Sequence, residues 1–308
     1  MYAVGCTSDK IWNINDLVGY LVTNQHNDIE LRIEPEAICL HNLGLYDILD
    51  HFEFKSVTIH TWNPLEKHSK YKIKLVSHNH WFQQTAHIDL DLQTWNVTKR
   101  FLCLYHRPTA ARLALAAHLW TYHSNTSLIH FSAKDPVDFE LDKLLQWDVE
   151  STAQAGTMLP HLPLLLSSPE RYTKFSGYDY NDKLTALYQS ILIDVVVESH
   201  VAGKTFFPTE KTIRSILLKK PFIIFASRDF LAYLRQMGFR SFGDFWDENY
   251  DGYDGRDRLL KIKKLLDDLA QMPLDTLEKM YWDMQYSLNH NYDLLMSQKF
   301  IRQIKEIT

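Results

Sequence analysis

The sequence predicts an α/β protein of two Rossmann-like units facing a central cleft, and three observations carry that prediction. Strand-like and helix-like segments alternate almost throughout, which implies βαβ crossovers and parallel sheets. The alternation runs as two series in tandem, with a break near residues 93–99. One segment, Ile-Leu-Ile-Asp-Val-Val-Val at 191–197, is almost continuously apolar, as expected of a strand covered on both faces. The expected division is an acceptor-side unit over 1–97, a nucleotide-binding unit over 98–290, and a last helix within 291–308 that crosses back to the first unit.

Taken in order, Met1 to Cys6 is a short β-type run. Ile11 to Thr23 has apolar residues at helical spacing (Ile11, Ile14, Leu17, Val18, Leu21). Ile29 to Ile33 alternates as a strand, and Ile38 to Phe52 reads as one helix. Ser56 to His60 and Tyr71 to Val76 are strands rich in β-branched residues. The second series opens with the strand Arg100 to Tyr105, the turn His106-Arg107-Pro108-Thr109, and a helix of high propensity from Ala110 to Tyr122. Strand Ser127 to Ser132 and helix Val137 to Trp147 follow. Ser151 to Ser176, with Pro160, Pro163 and Pro169, reads as irregular. Then come helix Asn181 to Gln189, strand Ile191 to Val197, helix Thr209 to Lys219, strand Pro221 to Ala226 and helix Asp229 to Met237. The acidic, aromatic stretch Phe242 to Asp257 reads as a solvated loop. Three helical segments from Arg256 onward finish the chain, the last over Asp293 to Ile307.

Composition excludes several classes. With 45% hydrophobic residues in 308, the chain has ample apolar surface for cores, so disorder is excluded. A net charge of −5 offers no global basic surface for nucleic acid. Three distant cysteines without a C-x-x-C pair read as reduced, buried thiols in a cytoplasmic protein, host cytoplasm if the source is a virus. No signal peptide and no membrane span are expected. Loops of the G-x-x-x-x-G-K-[ST], G-x-G-x-x-G and G-x-S-x-G types do not occur, which disfavours common NTPase, dehydrogenase and hydrolase readings.

The chemistry concentrates between Ile191 and Ser227. The apolar strand delivers Glu198 and Ser199 to the carboxyl edge of its sheet, where open α/β folds bind ligands. The next helix has Thr209 as N-cap, with Glu210 and Lys211 in its first turn. A helix N-terminus favours an anion, and Lys211 adds a point charge for phosphate. The two oxygens of Glu210 suit the vicinal hydroxyls of a ribose. The bland alternative is an ordinary capped surface helix.

Glu198-Ser199, Phe206-Phe207-x-Thr209-Glu210-Lys211, an apolar helix and Lys220-Pro221-Phe222-Ile223-Ile224 together resemble the donor-binding segment of the α-1,3-fucosyltransferases (E-N-S, Y-[VI]-T-E-K, helix, G-x-x-P-V-V). A wider set of viral and bacterial glycosyltransferases continues, as here, with Phe230-Leu231-x-Tyr233-Leu234 and Phe242-x-x-Phe245-Trp246-Asp247-Glu248. The stretch from Phe101 to Arg112 resembles the family's strand–turn–helix F-x-x-S-N-x-x-x-x-x-R. The chain departs at His200, which follows Glu198-Ser199 without the family's amide, and in two extra residues before Glu210, which the Gly203-Lys204 loop absorbs. The likeness spans about residues 99–133 and 191–250.

The resemblance implies a GT-B glycosyltransferase that uses a nucleotide-sugar, a GDP-sugar favoured, as co-substrate and needs no cofactor. It implies Glu210 on the ribose, and Lys211 and Arg112 on the diphosphate, assisted by Arg107, with Glu198, Ser199 and Thr209 completing the donor site. It implies inversion by direct displacement, with a carboxylate of the first unit as base; Glu66, in Asn63-Pro64-Leu65-Glu66, and Glu53 are the candidates. The expected acceptor is a glycan or another hydroxyl, a modified nucleobase if the source is viral. The rival expectation is a non-catalytic module that binds a nucleotide or sugar on the same fold. No metal site is expected: Asp89-Leu90-Asp91 reads as an exposed strand face, and His118 and His123 lack an i, i+4 partner of ligand type.

Overall fold

Both strand series form parallel four-stranded sheets. The computed structural model describes residues 1–6, 10–34, 37–76, 95–133, 140–166 and 182–300. The first sheet has the order β1-β2-β3-β4, from β1 (Tyr2–Gly5), β2 (Asp28–Glu34), β3 (Ser56–Thr61) and β4 (Lys72–Leu75). Helices α1 (Ile14–Thr23) and α2 (Leu45–Asp50) complete it. Val4, Leu31, Ile33 and Ile59 bury against Leu17 and Leu21 of α1 and Leu45 and Leu49 of α2, forming one core.

The helix expected over Ile38 to Phe52 is shorter at its start. Gly44 takes a left-handed φ of 72°, and only the six residues Leu45–Asp50 are α-helical. The Leu40 N–H donates to Glu66 Oε2 at 3.0 Å, so a distant carboxylate has claimed a donor that a helix would use.

The second sheet runs β6-β5-β7-β8, from β5 (Lys99–Tyr105), β6 (Ser127–Phe131), β7 (Ile191–Val197) and β8 (Phe222–Phe225). Its helices are α3 (Ala110–His123), α4 (Leu141–Trp147), α5 (Val149–Met158), α6 (Asp182–Gln189), α7 (Glu210–Leu217), α8 (Phe230–Gln236), α9 (Gly255–Gln271), α10 (Leu274–Asp283) and α11 (Gln285–Ser297). All seven residues of β7 are buried, as its composition requires. Helix α3 is buried all round from Ala110 to Leu119, which is why its alanines carry no amphipathic stripe.

Three expectations are corrected here. The stretch after Ser151 begins inside α5, which Asp148 caps by accepting the Ser151 N–H at 3.2 Å and its hydroxyl at 2.6 Å. The stretch from Phe242 to Asp257 is not a solvated loop: Phe242, Trp246, Tyr250 and Asp251 are buried. Asp251 accepts the Leu231 and Ala232 N–H groups at 3.0 and 3.1 Å and so caps α8. The final helix begins at Gln285, and Tyr292, Leu295 and Phe300 pack in the core of the second sheet. The segment 301–308 and the Asp89-Leu90-Asp91 triplet lie outside the described residues.

Lys220, just before β8, is buried with its ammonium 4.9 Å from the Tyr281 ring centroid. Desolvation pushes its pKa down to about 7. An unfolded lysine titrates near ~10.4, so the unfolded chain binds the extra proton between these values and burial of the cation destabilises the fold most below pH 7. Lys220→Met is therefore expected to raise the melting temperature at pH 7. The gain should shrink as pH rises toward 10; a gain that does not change with pH would contradict the assignment.

Candidate active site

The chain passes from β5 to β6 on one side and continues to β7 and β8 on the other, so β5 and β7 flank a topological switch point. Ligands of open α/β sheets bind in the crevice beyond the carboxyl ends of such strands. The turn at 106–109 and the first turn of α3 follow β5, while Glu198 and Ser199 follow β7. Arg112 joins the two: its Nη2 donates to the Val197 carbonyl at 3.1 Å and its Nη1 to the Arg107 carbonyl at 3.4 Å.

Glu198 anchors the other half. Its Oε1 accepts the Thr209 N–H at 3.0 Å and the Thr212 hydroxyl at 2.5 Å, while Oε2 accepts the Thr209 hydroxyl at 2.5 Å. All three residues are buried. Glu198 and Thr209 thus position α7 on the end of β7. Lys211 Nζ donates to Glu210 Oε1 at 2.8 Å, Thr209 Oγ1 at 3.0 Å and Ser199 Oγ at 3.4 Å, and lies 3.9 Å from Glu198 Oε2.

Electrostatics tie the two cations together. Burial pushes the Arg112 pKa down, and the nearby charges of Glu198 and Glu210 oppose that shift. Burial also pushes the Glu210 carboxyl up, but the Lys211 ammonium outweighs it and holds the group below its ordinary value. Arg112 and Lys211 therefore share the field of the same two carboxylates.

Two donors in this crevice are unused. Arg112 Nε and Thr109 Oγ1 are buried with no hydrogen-bond partner among the described residues. Buried polar groups are nearly always satisfied, so two such groups at one helix N-terminus mark a place for an acceptor. The Ala110 N–H is already taken by Glu140 Oε2 at 2.9 Å, a carboxylate at the position where the helix dipole favours negative charge. Arg107 is exposed at the turn, and its charge disfavours that of Arg112.

Beneath the crevice, Asp194 Oδ2 accepts the Tyr188 and Ser215 hydroxyls at 2.5 and 2.8 Å. Arg214 Nη2 lies 3.7 Å away and its Nε donates to the Tyr188 oxygen. Desolvation raises the Asp194 carboxyl against the opposing pull of Arg214. This buried network fixes α7, and with it Lys211, to the strand.

The first unit reaches the same edge. Asn63 follows β3; its Nδ2 donates to the Lys204 carbonyl at 2.8 Å and its Oδ1 accepts the Phe206 N–H at 3.3 Å. The Thr205 hydroxyl donates to the Ala37 carbonyl at 2.7 Å. Gly203 stands at φ 76°, and a Cβ there would come within 2.9 Å of the Cys39 side chain, so the close approach needs glycine. The loop at Gly203 to Thr205 thus forms a strut between the units. Sequence reasoning missed Asn63 and Thr205; only Gly203 hinted at a tight approach.

Next to the strut lies a cavity of about 310 Å³ lined by Asn63, Pro64, Glu66, Lys67, His68, Ile73 and Leu75. Glu66 Oε1 accepts the Tyr46 hydroxyl at 2.8 Å, and Oε2 accepts Leu40 N–H and Asn63 Nδ2 at 3.0 and 3.3 Å. His68 packs against both Tyr46 and Tyr71, with centroids at 4.2 and 4.7 Å, and the two tyrosines lie 5.9 Å from each other. Its Nδ1 accepts the Lys70 and Tyr71 N–H groups, which places the proton of the neutral ring on Nε2 as a donor. Glu53 precedes β3, at the opposite edge of that sheet, with an exposed side chain beside His26.

His118 and His123, which lack a ligand partner at helical spacing, find a carboxylate far along the chain. His118 and His123 meet Asp267 of α9, and one ligand atom from each lies within 4.8 Å of the others. No helix among the described residues is long and apolar enough to cross a membrane. Compared with known proteins, the chain matches no family model, and no curated protein matches it in sequence.

Proposed function

We propose that the protein is a glycosyltransferase of GT-B type that moves a sugar from a nucleotide-sugar to an acceptor hydroxyl, with inversion. The observation that supports this reading best is the pair of unused donors, Arg112 Nε and Thr109 Oγ1, at a switch point that also holds Lys211 and Glu210. A diphosphate supplies the acceptors those groups lack. Its second phosphate draws Lys211 Nζ away from Glu210, and the released Glu210 carboxylate accepts the ribose hydroxyls. Arg107 closes the outer side of the phosphates. Arg112, Lys211 and the N-terminal turns of α3 and α7 balance the leaving diphosphate, so the donor half works without a metal.

The acceptor enters through the cavity beside the strut. Glu66 is the one carboxylate in its described lining and serves as base, steadied by Tyr46 and Asn63. His68 offers its Nε2–H to an acceptor oxygen. A thermal-shift panel of nucleoside diphosphates and their sugars tests the donor site, since a ligand that binds only the folded state raises the melting temperature. A guanine nucleotide is expected to give the largest shift, with slow release of nucleoside diphosphate from the matching sugar donor. Stabilisation without hydrolysis or transfer would point to the binding module instead, and no shift from any nucleotide would remove the basis of the reading.

A further inference from the structure

We propose that His118, His123 and Asp267 form a divalent transition-metal site, zinc by preference, that clips the end of α3 to α9. The proposal is independent of sugar transfer. His118 Nε2 and His123 Nε2 point at the same carboxylate oxygen, Asp267 Oδ1, at 2.8 and 2.6 Å. Two imidazole nitrogens converging on one oxygen form a ligand set in which two ring protons stand where an ion would sit. The imidazole planes lie at 68° with centroids 5.6 Å apart, so the ligands approach from different directions. His118 is buried, whereas the Asp267 side chain is 40% exposed, which gives an ion a way in and leaves room for a water ligand.

The donor set selects the ion. Two imidazoles and a carboxylate suit zinc and its neighbours, whereas magnesium and calcium want oxygen. Three protein ligands with a fourth position in solvent is the open zinc arrangement. Tetrahedral ligands at ~2.0–2.1 Å from zinc stand roughly 3.3 Å apart. The present contacts are shorter, so Asp267 must withdraw by about half an ångström, which its exposed end allows. The C-terminal end of α3 carries the negative pole of the helix and favours a cation. Lys263, one turn before Asp267, is neutralised by Asp148 at 3.2 Å.

Loading moves each ring proton to Nδ1. His118 Nδ1 is buried without a partner among the described residues. Metal-bound histidine usually donates that proton, and lack of the acceptor weakens binding by roughly 10- to 100-fold. The site is therefore exchangeable and stable only while metal is supplied.

The test uses full-length protein stripped with EDTA and titrated with zinc chloride in calorimetry and thermal melting. One zinc per chain is expected, with a melting rise on the order of 5 °C at a hundredfold excess over Kd and none with magnesium. His123→Ala should abolish the rise. Asp267→Asn, near-isosteric and exposed, is the second variant should the first fail to fold. Absence of a stoichiometric zinc, or a rise that survives in the folded variant, overturns the proposal.

Discussion

Lys211→Ala is expected to lower donor turnover roughly 10- to 100-fold, because a hydrogen bond to a charged partner contributes about 1.5–3 kcal/mol. The substitution should leave the fold intact. Glu198, the buried carboxylate beside Lys211, keeps its three donors from Thr209 and Thr212, and the Asp194 network under α7 does not involve the ammonium. The nucleotide-induced melting shift should fall together with turnover, whereas the melting temperature of the ligand-free protein should stay within a few degrees. Arg112→Ala should cost as much turnover but also some stability, since its guanidinium bridges two strand ends. Unchanged donor hydrolysis in folded Lys211→Ala would show that the reacting phosphates lie elsewhere.

The largest stability effect is expected at Arg258. Its side chain is fully buried and donates to the carbonyls of Ala226, Ser227, Tyr250 and Asp251 and to Asp251 Oδ1 at 2.6 Å. Arg258→Met removes the only cation paired with the buried Asp251 among the described contacts, and with it the donor to the Ala226 and Ser227 carbonyls just after β8. Breaking such a pair destabilises by about 3–5 kcal/mol. Denaturant unfolding measures it directly. Adding Asp251→Asn should recover part of the loss, because the uncompensated charge goes with it. A loss under about 1 kcal/mol would mean that water reaches this arginine after all.

Local signals in the sequence were good guides to the second sheet. The β-branched run of β7 needs cover on both faces, and Thr209 reads as an N-cap from its neighbours alone. What stayed hidden depends on partners far along the chain. Residues 38–44 have helical periodicity, but Leu40 donates to Glu66, 26 positions away. The acidity of residues 242–257 suggested solvent, yet Asp251 is matched by Arg258 and by the start of α8. The prolines after Ser151 suggest an irregular chain, whereas Asp148 is a cap that starts α5. His118 and His123 lacked a ligand at helical spacing because Asp267 comes 144 positions after His123. In the crevice beyond β5 and β7, residue types and spacing were legible, whereas the contacts were not: that Glu198 holds α7 depends on which hydroxyls reach it.

The strut through Asn63, Gly203, Lys204 and Thr205 constrains how the two units can move. It belongs to the same loop that leads into Thr209 and Lys211, so the contact between the units lies beside the start of α7 rather than far from it. Were one sheet to rotate against the other, the loop at the strut and the start of α7 would travel least. Under the proposed sugar transfer, the acceptor would then come and go by opening at the rim while the donor stays held.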